Sequence, residues 1–353
     1  MARSAIRARL CGRLAVTLLL TWRTTALPGQ PASGTVPARP EGIVAVSEVG
    51  MTVSDLDRAA AFYTDVLMFE WVTETKLAGD EFARLQGLPS PKARGATLRL
   101  GDEFIELMEY ASPKGREFPS DSRSNDRWFQ HIAIIVSDMD RAFARLQEKN
   151  VRPASVKGPQ TLPAWNKNAS GIKAFYFRDP DGHYLELLEF PSDKGDPRWH
   201  RKSDKLFLGI DHTAIVVNDT DASLRFYRDA IGFKVVGAGE NQGMEQEALN
   251  NVPGAHLRIT TLRAPAGPAI EFLEYLNPRD GRPYPADART NDLLHWQTTL
   301  VVNNAAGIAD KLHAGESRFI ADPVLSPKRG KSTDKTAFLV RDLDGHAMKI
   351  IEE

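Results

Sequence analysis

With 353 residues, 42% hydrophobic and 26% charged, the chain has the composition of a soluble globular protein, long enough for two domains with a core each. A net charge of −1 leaves no basic footprint for nucleic acid or an anionic membrane surface. The single cysteine, Cys11, lies in a distinct leader, so the rest of the chain has no disulfide, no thiolate zinc site and no thiol nucleophile.

Residues 1–40 carry six arginines and no acid. Arg3, Arg7, Arg9 and Arg13 precede the apolar run Leu14–Trp22, and small residues follow to Thr24-Thr25-Ala26. This is the order of a secretory signal, cut after Ala26, and the apolar run is too short to span a bilayer. The protein is therefore expected to be exported, periplasmic or secreted, with no membrane span in the mature chain. An Arg-rich organelle transit peptide is the alternative. Residues 27–42, rich in Pro, Gly, Ser and Thr, read as a flexible lead-in.

The remainder is a fourfold repeat. An apolar strand with one polar residue at its mouth starts at Glu48, His131, His212 and Gln297. In the first module Ser54-Asp55 is an N-cap for a helix over Asp57–Leu67. Strand-like stretches follow at Glu70–Lys76, Glu81–Gln86 and Ala96–Leu100, and Phe104–Tyr110 closes a βαβββ unit. The second module has a helix over Met139–Lys149 and a closing hairpin, Ala174–Arg178 and His183–Phe190, turning at Asp179-Pro180-Asp181-Gly182. The halves then repeat: Phe62-Tyr63 recurs at Phe226-Tyr227, Ile105–Tyr110 at Ile270–Tyr275, and Asp179–His183 at Asp342–His346. The expected architecture is α+β, with module pairs forming a domain over 43–192, a polar linker over 193–205 and a second domain over 206–353.

Each closing strand carries a residue bracketed by apolar neighbours: Glu106, Glu186, Glu271 and, breaking the pattern, Lys349. Charged groups in apolar strands are costly to bury unless paired or metal-bound. If sequential modules share a concavity, the first domain presents Glu48, Glu106, His131 and Glu186, a nitrogen and three carboxylates suited to one divalent first-row ion. The second presents His212, Glu271, Gln297 and Lys349, a degenerate set in which Lys349 pairs with Glu271. The plainer reading leaves these glutamates pointing at water. Glu109, Glu189, Glu274 and Glu352, three residues on, form a rival set, read here as a solvated rim. Trp128, Phe129, Trp165, His295 and Trp296 lie near the module mouths and could line a cleft.

These residues together resemble the vicinal oxygen chelate superfamily (glyoxalase I, extradiol dioxygenases, methylmalonyl-CoA epimerase, bleomycin-resistance proteins), over residues 43–192 and 206–353. Asp179–Leu187, D-P-D-G-H-x-L-E-L, is among its most specific phrases. The resemblance implies half-open barrels of paired modules, with metal held by first-strand and last-strand residues: Glu48, Glu106, His131 and Glu186. It implies a small substrate with neighbouring oxygens, lyase or isomerase chemistry with Glu186 or Glu106 as base, and one ion among Zn, Ni, Co, Mn and Fe. Modules pair within a monomer or across a homodimer in such proteins. Arg127, Trp128 and Trp165 are the substrate-side candidates. Thr52 and Tyr110 stand where glyoxalase I carries an Arg and an Asn, which argues against glutathione. The alternatives are an extradiol-type dioxygenase, whose site here would read His212, Gln297, Lys349, and a small-molecule binder of the bleomycin-resistance kind.

Overall fold

The computed structural model describes residues 42–315, 317–326 and 335–353. The expected leader and nearly all of the lead-in lie outside these residues. The first module is β1 (Ile43–Val53), α1 (Leu56–Ala61, continued as a π turn to Val66), β2 (Glu70–Leu77), α2 (Asp80–Gln86), β3 (Lys92–Leu100) and β4 (Glu103–Ser112). The second is β5 (Gln130–Val136), α3 (Met139–Glu148), β6 (Gln160–Thr161), β7 (Lys173–Arg178) and β8 (Tyr184–Glu189). A 3₁₀ turn (Pro197–His200) leads to β9 (Phe207–Val216), α4 (Thr220–Leu224, with a π turn to Ile231), β10 (Lys234–Gln242), α5 (Met244–Asn250), β11 (His256–Arg263) and β12 (Ala269–Asn277). The fourth module is β13 (Trp296–Val302), α6 (Ala305–Ala314), β14 (Arg318–Ser326), β15 (Lys335–Arg341) and β16 (Ala347–Glu352).

The chain is α+β as expected, but the modules do not pair in sequence order. One sheet runs β14-β15-β16-β13-β1-β4-β3-β2 and joins modules one and four; the other runs β10-β11-β12-β9-β5-β8-β7-β6 and joins two and three. We call them sheets A and B. Antiparallel seams β1–β13 and β5–β9 make the joins. The sequential halves do share their cores: Tyr63, Leu98, Ile134 and Phe177 of modules one and two pack in one cluster, Tyr227, Phe272, Leu300 and Phe338 of three and four in another. Each half is thus united on the helix side of its sheets, while each concave face is built from both halves.

Local chemistry explains the elements. Asp55, Asp138, Asp219 and Asn304 each accept the backbone N–H three residues on, at 2.8–2.9 Å, and start the four first helices. The glutamates read as a solvated rim do a related job. Glu109, Glu189 and Glu274 accept the Leu56, Met139 and Thr220 amides, placing a carboxylate at the helix N-terminus of their own module. The Glu81–Gln86 stretch is helical, between Gly79 and a left-handed Gly87 (φ 61°), and not a strand.

Two loops, from β4 to β5 and from β12 to β13, carry the chain from one sheet to the other and clasp each other. Arg116 donates from its backbone and guanidinium to Asp292, at 2.8, 3.1 and 2.7 Å. Arg282 repeats the arrangement on Asp126, at 3.0, 3.0 and 2.7 Å. Gly115 and Gly281 are required at the crossing, where a Cβ would lie 1.8 and 1.9 Å from the Asn291 and Asn125 carbonyl oxygens.

His183 ties the closing hairpin of module two to this crossing, with Nδ1 on Asp179 (2.8 Å) and Nε2 on the Leu293 carbonyl (2.7 Å). Both ring nitrogens face acceptors, so the imidazolium form is favoured. Burial opposes that charge, but the Asp179 carboxylate outweighs it and raises the His183 pKa above 6.5. Burial likewise opposes the Asp179 charge, and His183 outweighs it, holding the carboxyl below 3.8. The His183 contribution is therefore full below pH 6.5 and fades as pH rises through its folded pKa; the Asp179 contribution is present above 3.8 and is lost on acidification. His183→Asn is expected to cost about 1–3 kcal/mol at pH 6 and clearly less at pH 9. Equal losses in thermal melts at the two pH values would refute this.

Candidate metal centre

Across the middle of sheet B the register places residues in two adjacent rows on one face. Glu186, Ala133 and His212 lie side by side on β8, β5 and β9. Two residues along, Tyr184, His131, Ala214 and Glu271 lie side by side on β8, β5, β9 and β12. Alternation along each strand turns both rows to the same side. Ala133 and Ala214 sit between the functional groups and leave open the space that larger side chains would fill.

The result is a compact, buried cluster. His131 Nε2 lies 3.1 Å from Glu186 Oε2, which in turn is 3.7 Å from His212 Nε2; His212 Nε2 is 3.6 Å from Glu271 Oε2. One ligand atom each from His131, Glu186 and His212 falls within 4.8 Å of the others. His212 Nε2 and His131 Nδ1 are buried without a hydrogen-bond partner. Two imidazoles and two carboxylates, with an unpartnered nitrogen aimed between the carboxylates, fit a divalent first-row ion. Glu271 is the most exposed of the four, at 19% of its side chain, and the Thr261 hydroxyl donates to its Oε1 at 2.9 Å.

Asp211 orients His212, and a β-bulge makes this geometry accessible. His212 pairs with Ala133 but Ile210 pairs with Ile134, so Asp211 is the extra residue. Its carboxylate receives His212 Nδ1 (3.1 Å), Trp199 Nε1 (3.2 Å) and the Arg263 guanidinium (3.2 Å). Burial would raise its pKa, but the His212 and Arg263 interactions hold it well below the carboxylate range. Burial also opposes a charge on His212, yet Glu271, Asp211 and Glu186 push its pKa up to about 9. A carboxylate behind a ligand histidine fixes its tautomer and raises its basicity. Tyr176 was not expected either. It is the β7 neighbour of Glu186, and its ring lies 4.9 Å from that of His131. A cleft of about 610 Å³ opens against Asp211 and Arg263, with Arg198, Asp196 and Glu103 on its walls.

The remaining expected site residues lie elsewhere. Glu48 and Glu106 belong to sheet A, because module one pairs with module four; they do not join His131 and Glu186, and Glu106 is not a base for this centre. There the rows read Glu106, Gly50, Gln297 and Glu48, Thr299, Lys349. Lys349 pairs with Glu48 (3.8 Å), not with Glu271, and the Thr299 hydroxyl donates to the same carboxylate at 3.2 Å. Its ammonium supplies a positive charge and cannot act as a ligand. Likewise His212 and Glu271 leave the degenerate set and complete the centre of sheet B. Trp128 is buried with Ala288 and Leu294 under Arg282, Arg127 faces Asp344 at 3.8 Å, and Trp165 is 54% exposed.

Paired βαβββ modules that gather histidines and carboxylates onto the concave face of an open barrel define a class of small-molecule proteins. This chain belongs to the Glyoxalase/Bleomycin resistance protein/Dioxygenase superfamily, whose model matches residues 45–187 and 209–350. It is 37% identical over 157 residues to a 2-epi-5-epi-valiolone epimerase from Actinomyces sp., covering 43% of this chain and 82% of the relative. It is 26% identical over 194 residues to lactoylglutathione lyase from Schizosaccharomyces pombe, covering 52% of this chain and 58% of that enzyme. The fold is similar to glyoxalase I from Zea mays (TM-score 0.56, 15% identity, 87% of this chain and 92% of that one). It is also similar to a candidate dioxygenase from Bacillus subtilis (TM-score 0.52, 14% identity, 88% and 86%). Among the described residues no helix is long and apolar enough to cross a membrane.

Proposed function

We propose that the protein is an exported, divalent-metal-dependent isomerase or lyase, acting in sheet B on a small substrate that carries a carbonyl beside a hydroxyl. The observation that carries this reading is the convergence of His131, Glu186, His212 and Glu271 across the β5–β9 seam. His131, Glu186 and His212 would hold the ion, which supplies Lewis acidity toward two neighbouring substrate oxygens. Glu271, more exposed and oriented by Thr261, is the base that would take the proton from the hydroxyl-bearing carbon next to the carbonyl and return it there or to the neighbouring carbon. Asp211 keeps His212 Nε2 turned into the site, and Tyr176 narrows it beside Glu186. The similarity to an epimerase supports the same chemistry.

The test is metal-dependent exchange of the substrate C–H for deuterium in D₂O, followed by NMR on a neutral 2-hydroxyketone. The metal-loaded protein is expected to catalyse exchange, and Glu271→Gln to lose it roughly 100-fold or more while keeping metal. Two histidines and a carboxylate also match the iron set of ring-cleaving oxygenases, which sustains a second reading. Iron-dependent oxygen uptake with a catechol, and no proton exchange, would replace the first reading by that one.

A further inference from the structure

Sheet A departs from its twin at a second group of positions, one pleat further along the strands. In sheet B, Phe129, Val216 and Leu273 pack beside the metal residues. The repeat places His295, Thr52 and Met108 at the equivalent positions of sheet A, so three apolar side chains become an imidazole, a hydroxyl and a thioether. The Thr52 hydroxyl is used internally, donating to the Thr290 carbonyl at 2.8 Å. All three line a small cavity together with Gly50, Glu106 and Gln297. Its free space, about 10 Å³, holds one water-sized sphere and no organic ligand.

What faces this cavity is unusual. His295 is 2% exposed and Gln297 4%; the imidazole lies near the Gln297 amide, but neither ring nitrogen nor Gln297 Oε1 makes a well-formed hydrogen bond. Buried polar atoms are nearly always satisfied, so those that are not call for a partner outside the protein. Gly50 lies between Glu106 and Gln297 in the sheet, and without a side chain it lets carboxylate and amide meet over the same space. His295 stands immediately before β13, its carbonyl accepting the Thr52 N–H at 3.1 Å, and it lines the same space as Gln297. The nearby cation Arg341 is engaged by the Gly345 and Ala288 carbonyls and the Tyr284 ring.

We propose that sheet A holds a second site for a divalent transition metal, displaced by one pleat from the position that Lys349 forecloses, with His295, Gln297 Oε1 and Glu106 as ligands and the Met108 thioether at its wall. An imidazole, two oxygens and a soft sulfur neighbour suit such an ion better than magnesium or calcium.

The full chain, stripped with a chelator and re-equilibrated with cobalt(II), tests this by elemental analysis and cobalt d–d absorption. The expected result is two equivalents in the wild type, one in His295→Phe, which installs the side chain of the twin position, and one in His212→Ala. Gln297→Leu serves as a second removal of a ligand should His295→Phe fold poorly. A wild type that holds a single equivalent, lost in His212→Ala and unchanged in His295→Phe and Gln297→Leu, overturns the proposal and leaves a buried water in the cavity. Cobalt lost on His295→Phe but retained in full on His212→Ala would instead support this site and refute the centre in sheet B.

Discussion

Replacing either His131 or His212 with alanine is expected to remove one equivalent of bound divalent metal, weakening that centre at least about 100-fold, and to abolish catalysis. Loss of a group that only orients a metal-binding side chain costs about 10- to 100-fold, and these residues would touch the ion directly. Glu48→Ala is expected to leave the same centre loaded and active, because Glu48 lies in sheet A, paired to Thr299 and Lys349. The experiment separates the two ways of pairing modules. If metal were shared between modules one and two, His212→Ala would be silent and Glu48→Ala damaging. Elemental analysis of the three variants beside the wild type decides the matter, with circular dichroism to confirm that each folds.

The second large effect is on stability, at the crossing of the two loops. Asp126 is fully buried, and besides the Arg282 guanidinium it accepts two backbone N–H groups, from Arg123 (2.8 Å) and Arg282 (3.0 Å). Asp126→Ala leaves those amides without their acceptor and the guanidinium without its buried partner. Each buried amide left without its acceptor costs about 1–3 kcal/mol, so losing both together with the ion pair is expected to cost about 3 kcal/mol or more. The expected fall in melting temperature is roughly 5 °C or more for a chain of this size. Asp121, which also meets Arg282 (2.8 Å) but is 74% exposed, is the control: Asp121→Ala should leave the melting temperature close to that of the wild type, because solvent screens an exposed ion pair. A similar loss in both variants would show that the buried geometry contributes nothing special.

Much of this was legible in the residues. Repeated polar-mouthed strands, capping aspartates and the Asp-Gly hairpins located the modules, and every residue of the sheet B cluster was among the candidates. What could not be read was which modules meet. Offsets of 163–166 residues between halves are the same whether modules pair one with two or one with four, so periodicity is silent on the seam. The consequence was a site assembled from the wrong halves, with Glu48 and Glu106 standing in for His212 and Glu271. Asp211 was missed for a different reason: a bulge has no periodic signature, and without it the residue before His212 would point to the opposite face. The glutamates three residues beyond the site positions were taken for a rim because their partners, backbone amides at helix starts, are invisible in a pattern of side chains.

The crossed seams give the molecule the character of a link rather than a string of beads. Each concave surface is built on a central strand from each half of the chain, so neither half owns a complete site. Severing the chain in the Pro191–Lys205 linker would yield two polypeptides still stitched along β1–β13 and β5–β9, and no cut there would release a working enzyme from a spectator. Duplication in this protein has produced interdependence, and the two barrels can drift apart in chemistry, as Lys349 and His295 attest, only while they remain one folding unit.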